Sequence, residues 1–143
     1  MTAADTAVRH PFTENGASSA VQQVGILALQ GDVEAHGDAI RALGKEAVTV
    51  KSSLPLDQID ALILPGGEST TMMRCLHREG LLEPLKEFCL SGRPVLGTCA
   101  GAILLASDVI SPVQESLGCL EITIERNGYG RQLDSFITQI EDP

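Results

Sequence analysis

Three short apolar runs, at residues 24–29, 61–64 and 94–97, constrain the fold more than any other feature of this sequence, because each stops abruptly in turn-forming residues. The stops are Gln30-Gly31-Asp32, Pro65-Gly66-Gly67 and Thr98-Cys99-Ala100-Gly101. Continuous apolar runs of this length read as strands buried on both faces, whereas a half-exposed strand alternates. Between them the spacing turns helical. Ala35, Ala39, Ile40 and Leu43 share a face, with Asp32 as a cap and Gly44 as a left-handed stop. Ser69 and Thr70 are expected to cap a helix over residues 71–79, and Leu82, Leu85, Phe88 and Cys89 mark another that ends at Gly92. Residues 47–51 alternate as a strand, and residues 54–60 read as a connector with a short helical turn. Strands alternating with helices in this way predict an α/β fold: an open, mainly parallel sheet with helices on both faces.

The composition agrees with that reading and excludes several others. One Tyr, three Phe and no Trp leave the core to Val, Ile, Leu, Ala and Met, as buried parallel sheets use them. A length of 143 residues with 43% hydrophobic content suits one domain, expected over residues 24–143. Residues 1–23 mix small polar residues without a period and read as a flexible tail. A formal charge of −9 argues against a nucleic-acid surface, which needs clustered Lys and Arg. The four cysteines, at 75, 89, 99 and 119, form no C-x-x-C pair, and the three histidines are not at metal-ligand spacing from them, so no metal site is expected. The absence of a charged and apolar leader predicts a cytoplasmic location with reduced thiols. The apolar stretch at 102–106 is far too short to span a membrane.

Towards the end the pattern changes. Residues 102–107 read as an apolar helix, and residues 120–125 alternate strictly, as a strand with one wet face at a sheet edge or in a small accessory sheet. Asn127-Gly128-Tyr129-Gly130 is a turn, with residues 135–140 as a return strand of a hairpin-like pair.

Two segments carry chemistry. Gly97-Thr98-Cys99-Ala100-Gly101, a G-x-C-x-G run between a buried strand and an apolar helix, has the form of a nucleophile elbow. Such a bend lifts the Cys99 sulfur out of the sheet at its carboxyl edge, aims it at a helix N-terminus that favours the thiolate, and leaves the Ala100 amide to hold an oxyanion. The same residues also fit a buried structural thiol, and the spacing alone leaves both readings open. For Cys75, Cys89 and Cys119, which lack a glycine elbow, packing is the expected role. Pro65-Gly66-Gly67-Glu68-Ser69-Thr70 also follows a buried strand, so it belongs at the same sheet edge, facing Cys99. Its glycines admit close backbone approach, Glu68 suits an ammonium, and Ser69 suits either a cap or a ligand. No lysine completes a phosphate loop here, and as a plain turn before a helix the segment needs no ligand.

In chain order, Leu27-Ala28-Leu29-Gln30-Gly31, Leu64-Pro65-Gly66-Gly67-Glu68-Ser69-Thr70-Thr71-Met72, the Cys99 elbow, and Glu125-Arg126-Asn127-Gly128-Tyr129-Gly130-Arg131-Gln132 with Asp134-Ser135-Phe136 make one pattern. Together they resemble the glutaminase subunit of pyridoxal 5′-phosphate synthase, a class I (triad) glutamine amidotransferase with a flavodoxin-like fold. The resemblance runs from Val24 to the end. It implies that Cys99 attacks the side-chain amide of L-glutamine, that the amides of Gly67 and Ala100 hold the oxyanion, and that Gly67, Glu68, Ser69 and Arg126 bind the substrate. It implies no cofactor, and a synthase subunit as the partner that receives ammonia. The family's base, a His in a later His-Pro-Glu segment, and a later Ile-Arg substrate contact are not found up to Pro143, so the last strands of the sheet are expected to be missing. His10, His36 and His77 read as tail or helix-surface residues. A glutaminase subunit is the first expectation. A module that binds glutamine or the synthase without turnover, and a partner-independent cysteine hydrolase, are the alternatives.

Overall fold

The computed structural model describes residues 20–130 and 137–139. The first apolar run is β1 (Gln23–Leu27), followed by α1 (Val33–Ala42) and β2 (Glu46–Val50). Leu54–Asp57 form a single 3-10 turn that leads into β3 (Ala61–Leu64). Two helices, α2 (Ser69–Arg78) and α3 (Leu82–Leu90), then return the chain to β4 (Val95–Gly97), and α4 (Ala100–Leu105) starts directly beyond it. The main sheet has the order β2-β1-β3-β4 and every pair is parallel. This is the open α/β sheet expected from the sequence, with its carboxyl ends gathered along one edge.

The local signals explain most of the boundaries. Asp32 caps α1 by accepting from the Ala35 amide at 3.2 Å, and Gly44, with φ +72°, takes the left-handed position just past its end. The two-residue side-chain period divides the sheet between two cores. Leu27, Leu62 and Leu64 face α2, α3 and α4, where Met72, Leu76, Leu85, Phe88 and Leu104 are fully or almost fully buried. Val24, Ile26 and Ile63 face the other way and pack with Val33 and Ile40 of α1 in a smaller cluster. Each fully buried Leu or Phe in the larger core contributes about 1.5–3 kcal/mol. Among the described residues β4 pairs only with β3. Leu96 lies in register with Ile63 on the small-core face and remains 55% exposed.

Several expectations change. The strand opens at Gln23, inside the segment read as tail, because the amides of Gln22 and Gln23 both bind Asp60 Oδ2, at 2.8 and 2.9 Å, and Val21 packs on the small core. Most of the proposed tail lies outside the described residues. Helix α2 starts two residues before residue 71, and its cap is Glu68 rather than Ser69 or Thr70. The apolar helix stops at Leu105, and Ala106–Ile110 form β5, where a helix running to residue 107 was expected. Local propensity yields there to pairing, since β5 aligns in parallel with β6 (Leu120–Glu125) as a separate two-stranded sheet. The accessory sheet was legible, but its partner was not. The alternation in β6 also buries less than it suggests, with Leu120 and Ile122 both exposed. Of the expected return strand over 135–140, only residues 137–139 are described and they have no regular structure. The rest of it lies outside the described residues.

Candidate active site

Cys99 stands at the bend between β4 and α4. Its φ of 49° is in the left-handed region that L side chains rarely adopt, and it is exposed. The strain is held by short bonds on both sides: Thr98 N donates to Leu64 O at 3.0 Å, Gly101 N to Thr98 O at 2.8 Å and Ala102 N to Cys99 O at 3.0 Å. Gly97 and Gly101 make the bend possible. A Cβ on Gly97 would lie 2.7 Å from the Gly101 carbonyl, and one on Gly101 would collide with the Leu64 carbonyl. The Ala100 amide belongs to the first turn of α4, where no intrahelical acceptor exists.

The Pro65–Gly66–Gly67 turn lies directly alongside. A Cβ on Gly66 would be 3.3 Å from the Cβ of Cys99, so the two loops meet backbone to side chain. Gly67 has φ +151°, a value that favours glycine, and the Glu68 amide after it donates to Gln30 Oε1 at 2.7 Å. Gly31 packs on the Gly66 carbonyl so closely that a side chain there would clash. Thus the ends of β1, β3 and β4 are brought together, as the sequence placed them.

Glu68 has a different occupation from the one its position suggested. Its carboxylate accepts from the Thr71 hydroxyl and amide, both at 2.7 Å, and from the Thr70 amide at 3.1 Å, so it caps α2. The Thr71 hydroxyl first, then the Thr71 and Thr70 amides, hold its pKa down from 4.5 to about 2. Ser69 is buried, and its hydroxyl donates to Gln114 Oε1 at 2.8 Å. Arg126, just after β6, is joined to the same atom, with Nη1 donating to Gln114 Oε1 at 2.8 Å and to Thr70 Oγ1 at 3.3 Å. Its Nη2 is 3.5 Å from Glu68 Oε1, a long contact beside the threonine bonds that dominate that carboxylate. Sequence reasoning missed Gln114. It lies in an aperiodic loop between β5 and β6, and only its side-chain neighbours distinguish it.

Neither described histidine is bonded to the Cys99 sulfur. His77 Nε2 pairs with Glu115 Oε2 at 2.7 Å, and His36 Nε2 is 3.5 Å from the Thr98 hydroxyl. His10 is outside the described residues. Cys75, Cys89 and Cys119 are half-buried, and burial first, then the neighbouring Cys119, pushes the Cys89 thiol up to about 12. Among the described residues no cluster of His, Cys, Asp and Glu could hold a metal ion, and no helix is long and apolar enough to cross a membrane. A cavity of about 440 Å³ between α1 and strands β1 and β2, lined by Ile26, Val33, Arg41 and Lys51 among others, touches none of the residues around Cys99.

Both the sequence and the fold are similar to those of known proteins. The SNO glutamine amidotransferase family matches residues 26–142. The pyridoxal 5′-phosphate synthase subunit PdxT of Geobacillus thermodenitrificans (strain NG80-2) is 51% identical over 118 residues, covering 82% of this chain and 60% of the relative. The PdxT subunit of Solibacter usitatus (strain Ellin6076) is 52% identical over 120 residues, covering 84% of this chain and 62% of the relative. A crystal structure of a glutamine amidotransferase superposes with a TM-score of 0.71 at 44% identity, covering 79% of this chain and 61% of the other. The chain thus spans about 60% of the length of the PdxT relatives it matches. On the sequence match and the shared fold together, this chain belongs to the SNO glutamine amidotransferase family.

Proposed function

We propose that this chain carries the glutamine site of a glutaminase subunit that supplies ammonia for pyridoxal 5′-phosphate synthesis. The observation that carries the reading is the juxtaposition of an exposed, strained Cys99 with the Gly66–Gly67 turn. In this reading the Cys99 thiolate attacks the side-chain carbonyl carbon of L-glutamine, and the oxyanion is held by the amides of Gly67 and Ala100. The C–N bond breaks as its nitrogen takes up the proton that the thiol gave up, ammonia leaves, and a γ-glutamyl thioester remains. Water then cleaves the thioester to glutamate and the free thiol.

Arg126 binds the α-carboxylate with its planar donor fork, and Gly67, Glu68 and Ser69 line the amino-acid end. No group among the described residues hydrogen-bonds the Cys99 sulfur. The His-Pro-Glu base of the family is not in the 143 residues, so full turnover needs that group as well. Ammonia is passed to a synthase subunit, which docks as a hetero-oligomeric partner in the cytoplasm.

The test is glutamate release from L-glutamine by the chain joined to the His-Pro-Glu segment of a PdxT relative and mixed with a pyridoxal phosphate synthase subunit. Release that vanishes in Cys99→Ser supports the reading. Docking with no release points to a binding module, and release from esters or peptides without the synthase points to a cysteine hydrolase.

A further inference from the structure

Gln114 Oε1 is the meeting point of three donors from two distant parts of the chain, the start of α2 and the end of β6. It accepts from Arg126 Nη1 at 2.8 Å, Ser69 Oγ at 2.8 Å and Thr70 Oγ1 at 3.2 Å. The loop that carries Gln114 is itself fastened on both sides. Gln114 N donates to Val109 O at 3.3 Å, Ser116 Oγ to Ala106 O at 2.7 Å and Leu117 N to Leu104 O at 2.6 Å, while Leu117 is buried in the larger core. The adjacent Glu115 is paired with His77 on α2. The amide oxygen is therefore placed by packed backbone, not by a free side chain.

The chemistry of that oxygen matters. Arg126 has a side chain only 20% exposed, so its permanently charged guanidinium needs acceptors that replace the lost water. A carboxylate would fix it and also neutralise it. A neutral carbonyl orients the planar fork and leaves the positive charge for an incoming anion. The nearest carboxylate, Glu68, forms only a long ion pair with Nη2 at 3.5 Å, half-exposed to water, and is oriented by Thr70 and Thr71 rather than by the arginine.

We propose that Gln114 is a positioning residue for amino-acid recognition: its neutral amide oxygen holds the Arg126 guanidinium in place for the α-carboxylate of the ligand without setting a further negative charge against it. The inference rests on the reading of Arg126 given above as the carboxylate site.

The experiment measures the Kd of two ligands on the full chain by calorimetry or NMR titration. One is L-glutamine, and the other is 4-aminobutanamide, the same molecule without its α-carboxylate. Gln114→Glu keeps the size and the acceptor but neutralises the guanidinium, and it is expected to weaken L-glutamine about tenfold or more while leaving 4-aminobutanamide within about twofold. A general loss of structure would weaken both ligands alike, and that result overturns the proposal. Should Gln114→Glu not fold, Gln114→Met is the deciding variant, with the same selective loss expected because the guanidinium loses its anchor.

Arg126→Ala separates the two levels of the argument. If it lowers L-glutamine affinity and the Gln114 variants do not, the role of Gln114 is wrong and the carboxylate site stands. If Arg126→Ala changes nothing, or the parent chain shows no saturable L-glutamine binding, the site reading and this inference fail together.

Discussion

Gly101 of α4 lies flat against the carbonyl of Leu64, so close that the hydrogen at its Cα occupies space no methyl group could enter. This contact joins the helix after Cys99 to the central strand β3 and brings the elbow beside the Pro65–Gly66–Gly67 turn. It also makes the smallest side-chain addition a direct test. Gly101→Ala must push α4 away from the sheet, and overpacking of this kind costs about 1–3 kcal/mol. Urea denaturation should show that loss. An unchanged midpoint would mean that α4 is free to shift and that the elbow is not fixed from below.

Glu68 predicts an acid-sensitive helix start. Its carboxylate titrates near 4.5 when unfolded and at about 2 in the folded chain, because the Thr71 hydroxyl and the first-turn amides bind the ionised form. The unfolded chain therefore takes up the proton first, so the stabilisation is present above pH 4.5 and is lost as the pH falls towards 2. Because this carboxylate is largely solvated, the effect is small. Glu68→Ala should cost about 1 kcal/mol at neutral pH, as loss of a cap does, and should flatten the decline below pH 4.5. Thermal melts of both chains across that range provide the check.

The thiols should sort by exposure and charge. Cys99 is exposed, while Cys89 is half-buried with its pKa pushed up to about 12, so almost no thiolate exists there at neutral pH. Timed alkylation with iodoacetamide at about pH 8, followed by peptide mass spectrometry, should label Cys99 first and Cys89 last. Equal rates at the two positions would contradict the packing of Cys89 against the core.

Arg93 ties the connector before β3 to the end of α3. Its Nη1 donates to Leu56 O at 2.8 Å and Ile59 O at 3.1 Å, and its guanidinium lies 3.8 Å over the Phe88 ring. Arg93→Ala leaves two carbonyls without their donor and should destabilise the chain by about 2 kcal/mol. Lysine cannot reproduce a fork that reaches two carbonyls while stacking on a ring, so Arg93→Lys should recover less than half of the loss. Full recovery in a denaturation series would show that charge alone is at work.

What the sequence determined by itself was set by rules that act over a few residues. Three apolar runs that stop in turn-forming residues and one alternating run, at 47–51, marked the four strands of the main sheet. Asp32 and Gly44 bounded α1, and the glycines at 97 and 101 marked a bend that carries Cys99. The family pattern rests on the same short segments. Tertiary structure alone decided what depends on partners distant in the chain. Residues 106–110 became a strand because residues 120–125 pair with them, a contact that outweighs the apolar helix pattern running into it. The Glu68 cap is itself local, made with Thr70 and Thr71 two and three residues on, and was missed because Ser69 and Thr70 offered competing caps. Gln114 had no signal at all, since one amide oxygen gains its meaning only when the fold brings Ser69, Thr70 and Arg126 to it.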